Sequence, residues 1–425
     1  MTNFQIFKYI ILGLTLLLES AVSYGQKEGN IWYFGNFAGI DFNSGAPVAL
    51  TNGVLSTTEG CSAISDNMGN LLFYTDGTLV WNRNHIRMPN GFGLMGNSSS
   101  TQSALIVSKP GSNNIYYIFT TSAMSSNDGL RYSIVDMTLQ GGLGDVTINK
   151  NVLLKTPVTE KLSAVKHANG CDIWIIAHEW DSDGFLAYLV DSSGVSTNPV
   201  ISNTGTIHNG SGLNKLGQLK VTPDGSKLAV AIMALHLLEL FDFDNATGIV
   251  SNPMSFPPIF PVQPGGGFQR GMTYGVEFSP DNTKLYVSLE LGREIYQYDL
   301  KAGSSADIIN SVKLIGSTSA IEFGCLQLGP DGKIYAARAS AQELGVINNP
   351  NASGIACNYV DRAVFLGGRT SMFGLPTFMQ SHFYTQFTYE NPCAGDSTLF
   401  SIADIANVDS VQWVFGDTSS GTFNK

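Results

Sequence analysis

Seven polar side chains stand just ahead of small residues that each open an alternating apolar segment. They are Glu59, Gln102, Lys161, Lys215, Arg270, Glu322 and Arg369. If the fold gathers these positions, the mixture of carboxylates, amide and cations predicts a site for an anionic or sugar-like ligand. Two alternatives stay open. Glu59, Glu160 and Glu322 could hold a hard cation, which prefers oxygen ligands. The seven side chains could also be polar only because they face solvent. We predict a ligand-binding ring with no metal and no cofactor.

The six histidines supply the candidates for a general base. His178 is the best of them, since it follows the apolar residues 174–177 and stands at the end of a predicted strand. His236 lies in an apolar run and is expected to be packed, whereas His167 belongs to a predicted turn. The chain has no Gly-x-Ser-x-Gly elbow, no HExxH and no phosphate-binding loop. We therefore assign no catalytic residue and favour a non-enzymatic protein.

The elements that would position these residues are repeated hairpins. The segment 219–230 (LKVTPDGSKLAV) returns as 276–287 (VEFSPDNTKLYV) and as 326–337 (LQLGPDGKIYAA). Each combines an alternating apolar strand, a Pro-Asp turn and a second alternating strand. The prolines lie 57 and 50 residues apart, which is the size of one β-propeller blade. The turn aspartates are expected to bond their own backbone rather than calcium.

Weaker copies of the hairpin raise the number of blades. Three upstream segments share the pattern and bring the hairpins to six: 62–74, 104–118 and 164–174. Small residues precede seven first strands: Gly60, Ser103, Ser163, Gly217, Gly275, Gly324 and Gly374. Innermost propeller strands converge on a narrow axis, where small residues let neighbouring backbones approach closely. Seven such positions predict seven blades, with six or eight as alternatives.

The seventh blade needs strands from both ends of the chain. Its first strand, 375–380, has no hairpin after it, and the strand-like segments 31–34 and 38–42 have no inner strand before them. Joining them closes the ring and hides its sheet edges. We predict an all-β, seven-bladed β-propeller over residues 26–386, closed by strands from both termini, with the seven polar side chains at the mouth of its channel. The Pro-rich segment 252–267 is predicted to be a loop.

The N-terminus predicts export. Lys8 precedes the apolar residues 9–18, and Ser23-Tyr24-Gly25 offers small residues at positions −3 and −1, so 1–25 has the pattern of a signal peptide. The apolar run is shorter than the roughly 20 residues of a membrane-spanning helix, and no later segment is long and apolar enough. We expect a soluble monomer that is extracellular or attached to the cell surface.

Composition limits the partners and the metal chemistry. A net charge of −11 without a basic run argues against a nucleic-acid partner, because phosphate binding needs clustered Lys and Arg. The five cysteines include no CxxC pair, which argues against structural zinc. In an exported chain Cys325 and Cys357 could form a disulfide; the alternative is that the cysteines are free and buried.

Residues 387–425 follow a different pattern. Residues 413–417 (WVFGD) resemble the signature of PKD domains, small immunoglobulin-like β-sandwiches of extracellular proteins. Such a sandwich needs roughly 100 residues, so we expect a truncated PKD-like domain. With the signal peptide, residues 32–35 (WYFG) and the hairpins, the chain resembles exported bacterial surface proteins in which a WD-like or lactonase-like propeller precedes PKD modules.

The resemblance implies a context more than a chemistry. Many such proteins carry a gliding-motility-type sorting domain for type IX secretion, which this sequence lacks. The leading hypothesis is a non-enzymatic recognition or adhesion module that binds an extracellular glycan or surface protein. The alternative is a hydrolase or lyase that acts on a sugar or lactone at the channel mouth. A third is a structural element of the secretion or motility apparatus.

Overall fold

The computed structural model describes residues 27–124, 126, 128–263, 268–320 and 322–383, and the backbone of 387–390 and 399–402. Lys27–Tyr384 form one unit. The predicted signal peptide and the WVFGD motif lie outside the described residues.

Seven antiparallel sheets follow one another in the described part of Lys27–Tyr384. The first belongs to blade seven and contains β1 (Ile31–Phe34), β2 (Ala38–Asp41) and β3 (Val48–Leu50). Blade one contains β4 (Ser62–Ser65), β5 (Leu71–Thr75), β6 (Leu79–Asn82) and β7 (Arg87–Phe92). Blade two contains β8 (Ala104–Ser108), β9 (Ile115–Thr121), β10 (Leu130–Asp136), β11 (Asp145–Val146) and β12 (Val152–Lys155). Blade three contains β13 (Val158–Lys166), β14 (Ile173–Glu179), β15 (Ser182–Val190) and β16 (Val200–His208).

The remaining blades repeat the same order of strands. Blade four contains β17 (Leu219–Val221), β18 (Lys227–Ile232), β19 (Leu237–Asp244) and β20 (Ile249–Phe256). Blade five contains β21 (Thr273–Phe278), β22 (Lys284–Leu289), β23 (Glu294–Asp299) and β24 (Lys313–Ser317). Blade six contains β25 (Phe323–Leu328), β26 (Ile334–Arg338), β27 (Glu343–Ile347) and β28 (Tyr359–Phe365). The seven-bladed, all-β prediction is confirmed.

Short helical segments join some of these strands. One α-helix, α1 (Ser305–Asn310), begins at a capping box made by Ser304 and Asp307. The 3₁₀ segments are Gln140–Gly142, Gly212–Lys215, Met233–Leu235, Gly354–Cys357 and Gln380–Phe383. Beyond the propeller, β29 (Phe387–Glu390) and β30 (Leu399–Ile402) pair antiparallel. No helix among the described residues is long and apolar enough to cross a membrane.

The turn aspartates act as predicted, through hydrogen bonds to their own turns. Asp224 Oδ1 accepts from the backbone N–H of Ser226 at 3.0 Å, and Asp281 Oδ1 accepts from Thr283 at 3.0 Å. Gly225 adopts a φ of 75°, which glycine reaches without a Cβ penalty. These hairpins lie at the end of the ring where the innermost strands finish, away from the channel mouth.

The small residues before the innermost strands allow adjacent blades to touch. A Cβ on Gly60 would lie 2.1 Å from the Ser103 nitrogen, and one on Gly324 would lie 2.1 Å from the Phe373 oxygen. Real Cβ atoms do not approach backbone atoms this closely, so a side chain at these positions would push two blades apart. The small residues that recur along the sequence therefore mark the places where neighbouring blades pack against each other.

The ring closes with chain from both ends, but not through the strand pairing that the sequence predicts. Residues 373–379 bond to the flanking blades: the Phe373 carbonyl accepts from Cys325, and Thr377 donates to the Cys61 carbonyl. Pro376 has no N–H to offer a ladder. Trp32 of β1 packs its ring 5.7 Å from that of Phe378, so aromatic contact joins this segment to blade seven.

The channel axis is filled by buried polar side chains, which we call the axial network: Gln102, Gln218, Lys220, Glu277 and Gln327. Lys220 Nζ lies 2.9 Å from Glu277 Oε2 and also donates to Gln327 Oε1. Gln218 Oε1 accepts from the backbone of Val276 and Leu326, which belong to blades five and six. The network thus ties the innermost strands of blades four, five and six together.

One expectation about local structure is wrong, and for Cys325 and Cys357 the alternative without a disulfide is the one observed. Residues 252–256 belong to β20 rather than to a loop, because Asn252 adopts a φ of 53° at a bulge and Pro253 lies on an outermost strand that needs no N–H there. Cys325 and Cys357 are both free and buried. Cys325 packs in a core cluster with residues of blade seven, whereas Cys357 packs in a cluster with residues of blade five, so the two cysteines lie on different faces of blade six.

Candidate functional site

The mouth of the channel lies where the innermost strands begin. Five ionisable residues from blades one, three and five meet there, and we call them the mouth cluster: Glu59, Glu160, Lys161, Tyr274 and Glu290. A β-bulge interrupts the pairing of β13 with β14 between Val158 and Leu162, and another interrupts the pairing of β21 with β22 between Thr273 and Val276. Such bulges re-aim side chains, and they turn Glu160, Lys161 and Tyr274 inward.

Glu59 and Tyr274 are joined across the channel. The Tyr274 hydroxyl donates to Glu59 Oε1 at 2.9 Å, and the two residues belong to blades one and five. Burial, with Glu160 nearby, holds the pKa of the Glu59 carboxyl well above its usual range. Glu59 Oε2 has no hydrogen-bond partner among the described residues, although Glu59 is only 7% exposed. A protonated carboxyl at this place can donate to, and accept from, a bound hydroxyl.

Glu290 supplies a second buried carboxyl with an unused oxygen. It follows β22, whose last residue pairs with Thr273 at the start of β21, so it lies on the mouth side of blade five. Burial, assisted by Glu322, raises the pKa of Glu290 to about 8. Its Oε2 has no hydrogen-bond partner in the part of the chain that the structure describes. At neutral pH this group is therefore mostly a neutral acid.

Glu160 and Lys161 use their polar atoms to organise the loops of the mouth. Glu160 Oε2 accepts from the Thr101 N–H at 2.8 Å, and Oε1 accepts from the Met124 N–H at 2.7 Å. Burial nevertheless raises the pKa of Glu160. Lys161 Nζ donates to three carbonyls of the 212–216 turn, the shortest at 2.7 Å to Leu216. Burial lowers the pKa of Lys161 to about 7, against the opposing effect of Glu160.

The seven residues predicted for the ring divide into three groups. Glu59, Lys161 and Lys215 meet at the mouth, where Lys215 Nζ lies 5.0 Å from the centre of the Trp180 ring. Glu322 is half-buried beside Glu290, and burial raises its pKa. Gln102, Arg270 and Arg369 have other partners: Leu162 and Leu219 for Gln102, Glu294 for Arg270, and the Thr51 carbonyl for Arg369. Gln102 is fully buried in the axial network and cannot reach a ligand.

Two residues of the mouth cluster escape the sequence prediction. Tyr274 stands directly before Gly275, so the rule that selects residues ahead of the small positions should have included it. Glu290 follows the second strand of its blade rather than preceding the first. Second strands run back to the mouth, so the residues that follow them were the missing signal.

His178 is not placed as a general base. Its ring stacks on that of His208 with centres 3.7 Å apart, and both histidines are fully buried. Burial lowers the pKa of His178 to about 3 and that of His208 well below its usual value. Neither nitrogen of His208 has a hydrogen-bond partner among the described residues. The pair is a neutral packing element of blade three beneath the mouth.

This pair should make the fold sensitive to acid. An unfolded histidine binds a proton near pH 6.5, whereas buried His208 stays neutral, so the free energy of unfolding falls as the pH drops below 6.5. We expect His208→Phe to reduce that slope by up to about 1.4 kcal/mol per pH unit, measured by urea unfolding at pH 5, 6 and 7. The buried carboxyls of the mouth have raised pKa values, so they stabilise the fold as the pH falls, and they do so equally in the parent and in His208→Phe. The difference between the two slopes therefore reports His208 alone. Equal slopes in variant and parent would contradict the assignment.

The described residues contain no group of three or more His, Cys, Asp or Glu side chains arranged to hold a metal ion. The carboxyls of the mouth cluster come from different blades and are raised in pKa by burial. A carboxyl whose pKa is raised can exist as a neutral acid, which both donates and accepts hydrogen bonds.

Comparisons with known proteins find likeness of architecture only. No protein-family model matches the chain, and neither does any curated protein sequence. Solved structures that resemble it include the periplasmic gluconolactonase of Pseudomonas aeruginosa, with 11% identity, a TM-score of 0.49 and coverage of 81% of this chain and 98% of that one. A Bacteroides uniformis protein provisionally assigned as a 6-phosphogluconolactonase has 12% identity, a TM-score of 0.45 and coverage of 79% and 98%. A Lactobacillus plantarum protein has 12% identity, a TM-score of 0.45 and coverage of 81% and 98%.

Proposed function

We propose that this chain is a recognition propeller whose channel mouth binds a neutral, hydroxyl-rich small molecule, either a sugar or a sugar lactone. The observation that carries the proposal is the pair of buried carboxyls, Glu59 and Glu290, each with one oxygen that has no partner among the described residues. An unsatisfied buried polar atom costs about 1–3 kcal/mol. A ligand hydroxyl that bonds to it recovers that energy, and a polyol offers several hydroxyls at once.

The charges of the mouth favour a neutral ligand over an anionic one. The ammonium group of Lys161 is already bonded to three carbonyls, and that of Lys215 lies over Trp180 and donates to the Met124 carbonyl. An anion would therefore meet carboxyls and find both of these cations engaged. Of the two ligand classes that the sequence predicts, anionic and sugar-like, the proposal therefore keeps the sugar-like one.

The setting of this function rests on the sequence. Residues 1–25 have the pattern of a signal peptide, and residues 413–417 resemble a PKD signature. In this proposal the protein is exported, displays the propeller outside the cell or on its surface, and uses the PKD-like tail as a spacer. The partner is then an extracellular glycan, and an adhesive role follows if that glycan belongs to a surface.

A second candidate function is hydrolysis or elimination on a sugar or lactone at the same mouth. The observation that favours it is the acid–base character of Glu290, whose pKa is raised to about 8, beside Tyr274 and Glu59. General acids and bases work best when their pKa lies near the operating pH. Glu59→Gln and Glu290→Gln should each abolish turnover of a lactone substrate if this candidate is correct.

A glycan array tests the proposed function. We expect the purified chain to bind neutral glycans at micromolar protein and to ignore sulfated and phosphorylated ones. A blank array, together with a blank pull-down of surface proteins, would overturn the recognition proposal. The same protein incubated with gluconolactone and p-nitrophenyl glycosides shows whether the ligand is turned over, and turnover lost in Glu290→Gln would favour the enzyme.

A further inference from the structure

A second concave site lies between blades two and three, at the end of the ring opposite the mouth. We call it the interblade groove and define it by Tyr117, Tyr132, Leu189, Asp191, Ser193 and Ser196, which are among its lining residues. Its volume is about 560 Å³, within the usual range for small-molecule sites. Tyr117 pairs with Val107 near the end of β8, which places the groove far from the mouth cluster.

The deep part of the groove is aromatic. Tyr117 is 3% exposed and Tyr132 is half-buried, and their rings meet edge to face with centres 5.8 Å apart. Neither hydroxyl has a hydrogen-bond partner among the described residues. Tyr132 therefore offers a partly exposed ring for stacking and a hydroxyl that can donate and accept, while buried Tyr117 supports that ring from beneath.

The rim of the groove carries hydroxyls on a loop that is held in place. Asp191 Oδ1 accepts from the Ser193 and Gly194 N–H groups at 2.7 and 3.0 Å, and Ser196 N–H donates to the Leu189 carbonyl at 2.8 Å. Ser193 is exposed and Ser196 is half-buried, and their hydroxyls donate to Asp191 Oδ1 and to the Asn198 carbonyl, so toward a ligand these oxygens act as acceptors. A rim fixed in this way loses little entropy when a ligand binds.

The groove is close to neutral. Asp191 carries the one formal charge among the described residues that line it, and its carboxylate is used by the loop. The Tyr132 ring below and the acceptor oxygens of Ser193 and Ser196 above match a pyranose, which presents C–H groups to a ring and hydroxyl donors to its surroundings. We propose that the interblade groove is a binding site for a neutral sugar ring, separate from the mouth and independent of the function proposed there.

The test uses the full chain carrying Tyr274→Phe, which weakens binding at the mouth, and its readout is the further loss of signal that substitutions in the groove cause in that chain. Four probes are measured by saturation-transfer NMR: methyl glucoside, methyl galactoside, methyl mannoside and methyl N-acetylglucosaminide. We expect at least one probe to give a signal that Tyr132→Ala reduces at least fivefold. Tyr296→Ala is the matched control, because Tyr296 is also a half-buried tyrosine on the third strand of a blade, and it should stay within twofold.

A second variant protects the test against misfolding. Ser193→Trp adds bulk at the exposed rim without touching the core and should block the groove, with the same fivefold loss. No signal from any of the four probes in the Tyr274→Phe chain would overturn the proposal, and so would an unchanged signal in Ser193→Trp. The proposed function at the mouth has its own failure criterion, which is an equal probe signal in the Tyr274→Phe chain and in the wild type.

Discussion

Lys220→Met is expected to lower the free energy of unfolding by about 3–5 kcal/mol. Lys220 and Glu277 are both fully buried, and their Nζ and Oε2 atoms lie 2.9 Å apart in the axial network. The substitution leaves the Glu277 carboxylate buried without its cation, and it also removes the donor to Gln327 Oε1. Urea unfolding followed by circular dichroism measures the change.

The matched control for this prediction is Lys227→Met. Lys227 pairs with Asp242 at 2.7 Å in the same blade, but the two side chains are 38% and 46% exposed. Exposed pairs contribute about 0–1 kcal/mol, so we expect little change. A loss below about 1.5 kcal/mol for Lys220→Met would show that the axial network is not what holds the innermost strands together.

Gly374→Ala is expected to destabilise the ring at its closure. A Cβ on Gly374 would lie 1.8 Å from the backbone carbonyl oxygen of Glu59 and 2.2 Å from its carbonyl carbon. These are backbone atoms, so either the 373–379 segment or the loop that carries Glu59 must move. We expect the free energy of unfolding to fall by about 3 kcal/mol, measured by thermal and urea unfolding. We also expect weaker ligand binding at the mouth.

Gly212→Ala is the control for the closure. The Cβ that it adds meets the Met124 sulfur at 3.4 Å, an ordinary contact, so we expect stability within about 0.5 kcal/mol of the wild type. A Gly374→Ala chain as stable as Gly212→Ala would contradict the tight closure between blades seven and one.

Much of the scaffold follows from local patterns in the sequence. Alternating apolar residues define the first two strands of blades one to six, with Pro-Asp turns in blades four to six and other Gly- or Asn-containing turns in blades one to three, because a hairpin is specified by neighbouring residues. The small positions, such as Gly60 and Gly324, give the spacing of the blades. Pairing at the closure could not be foreseen, since Pro376 and the bonds of residues 373–379 to two flanking blades depend on contacts distant in sequence.

The site was predictable only in part. Position ahead of a small residue selects Glu59 and Lys161, which the fold brings to the mouth, because the segments before the innermost strands lie at that end. It also gave Gln102, which turns into the axis and bonds to Leu162 and Leu219. Which way a side chain turns depends on bulges, such as the one that precedes Leu162, and a single sequence does not reveal them.

The mouth itself is tested most directly by calorimetric titration of gluconolactone and the four methyl glycosides onto the chain that carries Ser193→Trp, so that the interblade groove is closed. Tyr274→Phe, which removes the hydroxyl bonded to Glu59, should weaken binding at least tenfold, or about 1.4 kcal/mol. Tyr188→Phe is the control, because it removes the hydroxyl of an equally buried tyrosine in blade three, and it should bind within twofold of its parent. Equal affinity in the Tyr274→Phe and Tyr188→Phe chains would contradict a ligand site at the channel mouth.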